Sequence, residues 1–201
     1  MLNIPILLGA PGRRAAHARL AGLAMAAALG AAGALTGCAE VVPAQYTRAQ
    51  PTLDPRMFFN GTVDAWGVFT DRKGLVTKRF TAVFRCEWKT VDGVETGTLD
   101  EEFKYSDDTR QRRVWTLRKT GEGLLTGSAS DVVGEAAGSY AGNALNWKYT
   151  LAITVDDQIY HVQFDDWMYQ MDNQTMLSRA TMNKLGMRLG DLTMSMRRRR
   201  D

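Results

Sequence analysis

The chain has 201 residues, with 25 Lys and Arg against 22 Asp and Glu and a formal net charge of +3. Three of the basic residues, Arg13, Arg14 and Arg19, precede Cys38 and no acidic residue does, so the chain from Cys38 onward is neutral. A neutral chain lacks the excess positive charge that binds phosphate backbones, which argues against nucleic acid as a partner.

Residues 1–37 have the pattern of a lipoprotein signal peptide. The early arginines precede an Ala-rich apolar stretch at 20–35, which is short for a stable transmembrane span. The stretch ends in Leu35-Thr36-Gly37-Cys38, the form of a bacterial lipobox. The pattern predicts that Cys38 is acylated and anchors the protein to a membrane. Since Ala39 rather than Asp follows, we expect the periplasmic side of the outer membrane; a transmembrane anchor is the alternative.

The residues after the lipobox predict a linker and then one domain. Pro43, Pro51 and Pro55 interrupt a polar stretch with little periodicity, which indicates an acylated cysteine and flexible tether at 38–55. The remaining residues, 56–201, suffice for a single domain. Cys86 is the only cysteine besides Cys38, so no disulfide can form within the mature chain and the fold depends on its core.

From Phe59 onward, apolar and polar residues alternate between short turn sequences, which is typical of antiparallel strands. The predicted strands are 61–70, 76–88, 94–105, 110–119, 124–133, 143–153, 159–169, 174–184 and 187–196. Short connections imply that consecutive strands pair, and closing the sheet removes its two free edges. The sequence therefore predicts an all-β fold, a single antiparallel up-and-down, lipocalin-like β-barrel of about 8 to 10 strands. A two-sheet β-sandwich is the alternative.

Three charged residues share the apolar face of their predicted strands: Glu101, Arg113 and Asp166. A three-residue loop at 107–109 would place Glu101 diagonal to Arg113, close enough to pair inside the barrel. An unpaired buried carboxylate costs several kcal/mol or takes up a proton, so we expect Arg113 or Arg179 beside Asp166. These charges either bind the head group of a ligand or form a structural ion network that fixes the strand register.

Aromatic residues recur on the predicted inner faces of the strands. Trp115 and Trp147 are candidate ligand contacts, and Tyr169, near the end of its strand, is a third. Such residues either line an apolar cavity or fill a packed core.

Several segments together resemble a known family. They are Phe58-Phe59-Asn60-Gly61, Ala65-Trp66-Gly67, Gly97-Thr98-Leu99-Asp100-Glu101, Arg113-Val114-Trp115, Gly134-Glu135-Ala136, Gly142-Asn143-Ala144 and, most specific, Phe164-Asp165-Asp166-Trp167-Met168-Tyr169. Over roughly residues 53–198 the chain resembles the domain-of-unknown-function 3833 family of bacterial lipoproteins. The resemblance implies an envelope lipoprotein with a lipocalin-like barrel and no established activity.

Catalytic chemistry has little support in the residues. His161 is the only histidine after Cys38 and lies on the polar face of its strand, so a His-based triad or metal site is not expected, nor is any cofactor. We expect a non-enzymatic, membrane-anchored protein that binds or carries a lipid or other apolar small molecule in envelope maintenance. One alternative is a packed barrel whose outer surface docks a protein partner. The other is a lipid-acting enzyme that uses Glu101, Asp166 or Tyr169. The oligomeric state stays open.

Overall fold

The structure, a computed structural model, describes residues 40–155 and 157–200. The predicted signal peptide and the lipobox cysteine Cys38 lie outside the described residues. Residues from Val42 to Asp201 form one compact unit. Among the described residues, no helix is long and apolar enough to cross a membrane.

Ten strands form a closed antiparallel barrel in which each strand pairs with its neighbours in sequence and β1 closes onto β10. The strands are β1 (Gly61–Asp71), β2 (Val76–Val91), β3 (Val94–Tyr105), β4 (Arg110–Gly121), β5 (Leu124–Ser128), β6 (Ala136–Ala141), β7 (Ala144–Val155), β8 (Gln158–Gln170), β9 (Thr175–Lys184) and β10 (Met187–Arg198). The predicted up-and-down barrel is confirmed, and the sandwich alternative is wrong because the sheet closes on itself.

The strand boundaries agree with the prediction to within three residues except in one region. The predicted strand 124–133 ends early, at Ser128, and is followed by a loop and then by β6, a strand that the residue pattern did not predict. The β6 sequence, Ala-Ala-Gly-Ser-Tyr-Ala, has too few large apolar residues to show an alternating pattern. Small residues are needed there because the Trp147 indole lies against the backbone of this strand, and a Cβ added at Gly138 would be 2.4 Å from the ring.

One end of the barrel is closed by the chain that precedes β1. A short helix, α1 (Pro55–Phe58), covers this end, and Leu53, Phe58 and Phe59 are buried in the core. Arg56 holds α1 in place by pairing with Asp54 within the segment and with Glu95 on β3. The other end, formed by the turns β1–β2, β3–β4, β7–β8 and β9–β10 and by the loop between β5 and β6, is open.

The predicted flexible tether at 38–55 is therefore wrong for most of its length. A 3-10 turn at Pro43–Tyr46 contacts β6 and β7, and the Leu53 amide donates to the carbonyl of Gly142 at 2.7 Å. Because apolar side chains of this segment are buried, residues 42–60 pack against the end of the barrel, and we call them the plug. The prolines of the segment had instead predicted a solvated linker. The domain begins at Val42 instead of residue 56.

Candidate functional site: the barrel cavity

The barrel encloses a cavity of about 750 Å³ that runs from the plug at the closed end to the open mouth. Pro55 and Phe59 form its floor, and Lys78, Thr109 and Thr154 lie at its rim. This volume lies within the range of roughly 300–1,000 Å³ that is typical of small-molecule pockets. The interior is thus hollow, and the alternative of a fully packed barrel is wrong.

Aromatic rings form much of the cavity wall. Trp115 meets Trp147 edge to face with centroids 5.7 Å apart and meets Tyr149 at 5.5 Å. Tyr149 in turn stacks on Phe164, with centroids 4.9 Å apart and an interplanar angle of 5°. The predicted candidates Trp115 and Trp147 therefore both lie on the cavity wall. Beside them lies the Tyr149 ring, which was not among the predicted ligand contacts.

Glu101 and Arg113 face the cavity from adjacent strands. They are direct partners in the β3–β4 register, and their Oε2 and Nη1 atoms are 3.8 Å apart. The expectation of a diagonal pair is wrong because the turn spans residues 106–108, one residue earlier than predicted, and the Tyr105 amide donates to the Thr109 carbonyl. The two residues nonetheless meet inside the barrel.

Arg113 has a stronger partner that the sequence did not reveal. Its Nε and Nη2 atoms donate to the carboxylate of Asp131 at 2.9 and 2.8 Å, and Gln111 donates to the same carboxylate. Burial opposes the charge of Arg113, but the hydrogen bonds that Arg113 donates to Asp131 and the charge of Glu101 outweigh it and raise the Arg113 pKa. Arg113 and Asp131 thus form a neutral ion pair at the cavity wall.

Glu101 is less well compensated than Arg113. Burial raises the pKa of Glu101 to about 7, because the Arg113 charge at 3.8 Å and the Trp115 indole offset the loss of water only in part. Near neutral pH this carboxyl group is therefore close to half protonated. It can donate a hydrogen bond in one form and attract a cation in the other.

Asp166 is the second carboxyl group that faces the cavity, and it is 2 % exposed. Its hydrogen-bond donor is Ser178 on β9, whose Oγ lies 2.7 Å from Oδ1. Among residues 40–155 and 157–200, no Lys or Arg forms an ion pair with it, so the expected arginine partner is wrong. Burial raises the pKa of Asp166 to about 7, opposed by the Ser178 hydrogen bond and aided by the neighbouring Asp165 charge.

Arg179 and Tyr169 occupy other positions. Arg179 points outward from β9 and pairs with Asp191 at 3.0 Å. Tyr169 is not on the cavity wall, since it lies on the outer face of β8, stacked on Trp167 and 3.4 Å from the hydroxyl of Tyr46. Its contact with the segment before β1 gives it a packing role that the strand pattern alone could not indicate.

The loop at residues 129–135 completes the barrel wall where β5 and β6 are short. On the β7 side it has backbone bonds, from Ala152 to the carbonyl of Asp131 at 2.8 Å and from Val133 to the carbonyl of Thr150 at 2.9 Å. On the β4 side the described residues show no backbone bond, and the loop is held by Arg113 and Gln111 through the Asp131 carboxylate. The ion pair of the cavity therefore also closes the wall.

Comparisons with known proteins agree with this architecture. A family sequence model described as "Protein of unknown function (DUF3833)" matches residues 32–198. No curated protein matches the chain. The solved structure of the S-type phycobiliprotein lyase CPES from Guillardia theta is similar, with a TM-score of 0.55 and 8% sequence identity over 81% of this chain and 99% of that chain. At this identity the likeness concerns the fold alone.

Proposed function

Because the chain belongs to the DUF3833 family, whose function is unknown, we propose its role from the cavity: it binds an amphiphilic small molecule inside the barrel. The hollow interior of about 750 Å³ is the observation that carries this proposal. Its walls are mostly apolar and aromatic, and a few polar groups converge on one region, which is the usual composition of a small-molecule site. The likeness in fold to a phycobiliprotein lyase is compatible with it.

The apolar part of the ligand would lie along rings and aliphatic side chains. Phe84, Leu99 and Phe164 are almost completely buried and face the cavity. The inner faces of β9 and β10 contribute Met182, Met194 and Met196. Thioethers adapt to varied apolar shapes, which suits a flexible hydrocarbon chain.

The polar groups favour a neutral or cationic head group over an anionic one. Arg113 is already balanced by Asp131 and so offers no unpaired positive charge to an anion, and the other basic lining residues, Lys78 and Arg110, lie at the mouth of the cavity. Glu101 and Asp166 can donate hydrogen bonds when protonated and attract a cation when ionised. The rings of Trp147 and Tyr149 would add a cation–π contribution to a bound ammonium group.

The membrane setting is also part of the proposal. An acylated Cys38 would hold the barrel at the periplasmic face of the outer membrane, where lipids and their breakdown products are at hand. The support for this is the lipobox sequence Leu35-Thr36-Gly37-Cys38 and its apolar leader. The protein would then carry or store such molecules in envelope maintenance.

Native mass spectrometry of the protein extracted gently from its own membranes tests the proposal. We expect a fraction of molecules that carry an additional lipid-sized mass, which is released on unfolding. Met182→Trp should remove that mass without loss of fold, because Met182 is partly buried near the mouth and a larger ring there would occupy the cavity.

Met171→Trp is the matched control, since Met171 is 54% exposed at the closed end, outside the cavity. Wild-type protein with only its own mass, or equal loss of ligand in both variants, would refute the proposal.

The head group is tested separately by competition among alkyl chains of one length that end in a hydroxyl, an ammonium or a carboxylate. We expect the carboxylate to compete least well.

A further inference from the structure

Two neighbouring turns at the open end present exposed apolar and basic residues together. They are the β1–β2 and β9–β10 turns, and they adjoin because β1 and β10 pair as far as Asp71 and Gly190. We call their combined surface the hairpin patch. It comprises Arg72, Lys73, Leu75, Val76, Lys184, Leu185, Met187 and Arg188.

The apolar residues of the hairpin patch are unusually accessible. Leu185 is 86% exposed, Leu75 69% and Met187 60%. Single exposed apolar residues are common on protein surfaces, but several on adjoining turns form a patch of the kind that contacts another surface.

Leu185 also has an unfavourable backbone conformation. It has φ 49° and is followed by Gly186 at φ 77°, within a two-residue turn between the paired residues Lys184 and Met187. Such turns prefer Asn or Asp at the first position, because β-carbon crowding penalises a positive φ in bulky residues. The β2–β3 turn at the closed end has this geometry with Asp92 and Gly93. Neither local conformation nor burial therefore accounts for a leucine at position 185.

The charges around these residues are mainly positive. Arg72 and Lys73 are exposed beside Leu75, and Lys184 lies over the Tyr160 ring at 3.9 Å. Arg188 shares the buried Asp191 carboxylate with Arg179, so this group of three has one excess positive charge. The carboxylate of Asp71 accepts from the amides of Lys73 and Leu75 at 2.8 and 2.9 Å and so shapes the β1–β2 turn.

We propose that the hairpin patch docks onto an anionic lipid membrane, with Leu75, Leu185 and Met187 in the interface and the basic side chains at the phosphates. Apolar residues flanked by Lys and Arg are complementary to such a surface, which attracts both the hydrocarbon and the positive charge. The patch adjoins the cavity mouth, where Phe69, Lys78 and Met182 line the opening. A docked membrane would therefore meet the cavity directly, and an apolar ligand could cross without passing through water.

Vesicle binding by the compact unit Val42–Asp201 tests this proposal without any contribution from the proposed acyl anchor. This unit contains all ten strands, the plug and the whole buried core, so it is self-contained. We expect it to sediment with vesicles of phosphatidylglycerol and phosphatidylcholine and to bind pure phosphatidylcholine much more weakly. Leu185→Asn should weaken binding by about tenfold or more through lost apolar burial. Lys73→Glu should weaken it by more than about fivefold, and only on the anionic vesicles.

Leu185→Asn also separates docking from folding. Asn tolerates positive φ better than Leu, so the melting temperature should stay the same or rise while binding falls. Met57→Asn is the matched control, because Met57 is 62% exposed but lies at the closed end, and binding should be unchanged. No binding to anionic vesicles, equal binding by Leu185→Asn, or equal loss in Met57→Asn would overturn the proposal. So would a protein partner that occupies the patch while vesicles do not bind.

Discussion

Ser178 on β9 donates a hydrogen bond of 2.7 Å to the Asp166 carboxyl group on β8, and this bond connects the inward-facing side chains of two adjacent strands. Within residues 40–155 and 157–200 the carboxyl group has a hydrogen-bond donor but no cationic partner, so the cost of burying its charge is only partly offset. Its pKa rises to about 7 for this reason. Asp166 therefore makes the stability of the barrel depend on pH.

Asp166→Asn should remove part of that dependence. In the unfolded chain the carboxyl group titrates near its ordinary pKa of 3.8, whereas in the folded protein it titrates near 7. Between pH 3.8 and pH 7 the folded state binds more protons at this group than the unfolded state does. The contribution of Asp166 to the free energy of unfolding is therefore most favourable at the acid end of this range and is lost as the pH rises through 7. We expect the wild-type melting temperature to fall from pH 5 to pH 8, and that of Asp166→Asn to fall less.

Glu101→Gln should also reduce the fall in melting temperature from pH 5 to pH 8, because burial raises the pKa of Glu101 to about 7 as well. The double variant should be flatter over this range than either single variant. Asp100→Asn is the control: Asp100 lies on the outer face of β3, and the hydrogen bond from Arg112 lowers its pKa, so its removal should leave the fall in melting temperature unchanged. A melting temperature that falls equally in wild type and the double variant would contradict the assignment.

The sequence revealed which charges face inward but not how they pair. Strand alternation is a local property, and it placed Glu101, Arg113 and Asp166 on the cavity side correctly. Register depends on where a turn begins, and the β3–β4 turn has Asp108 at φ 61°, which brings Glu101 directly opposite Arg113. Because the turn begins one residue earlier than predicted, each residue of β3 lies opposite a β4 residue two positions away from its predicted partner.

The alternation of residues along a strand could not predict contacts with elements that are distant in the sequence. Asp131 reaches Arg113 from an irregular loop that the sequence presented as the end of a strand. Leu53 and Phe58 belong to a segment whose prolines indicated a tether, yet they fill the closed end of the barrel. Such contacts follow from the closure of the sheet, which brings together residues far apart in sequence.

Cys38→Ser tests the anchoring proposal. If Cys38 is acylated, the wild-type protein should fractionate with membranes, resist extraction by high salt and carry the mass of attached acyl chains. The variant should lose the acyl mass and be released by salt, because position 38 lies outside the compact unit Val42–Asp201 and the proposed acyl chains are what resist extraction. An unmodified cysteine in wild-type protein from its native membranes would contradict this expectation.

Gly138→Ala should destabilise the barrel and disturb the cavity wall. A Cβ at this position would lie 2.4 Å from the Trp147 ring, so the indole must move away from the strand and into the cavity. We expect a cost of about 1–3 kcal/mol in the free energy of unfolding, typical of overpacking. Urea titration measures it, with Ala137→Ser on the exposed face of the same strand as a control that should change little.

Asp131→Asn should loosen the wall segment at residues 129–135 without unfolding the barrel. The substitution removes the charge that holds this loop to Arg113, while the backbone bonds to β7 remain. Hydrogen exchange should then accelerate at the Val133 amide and stay slow at the Trp147 amide, which lies in the ladder between β7 and β8. If the loop regulates access to the cavity, a bound amphiphile should also dissociate faster from this variant. Unchanged exchange at Val133 would mean that β7 alone holds the loop.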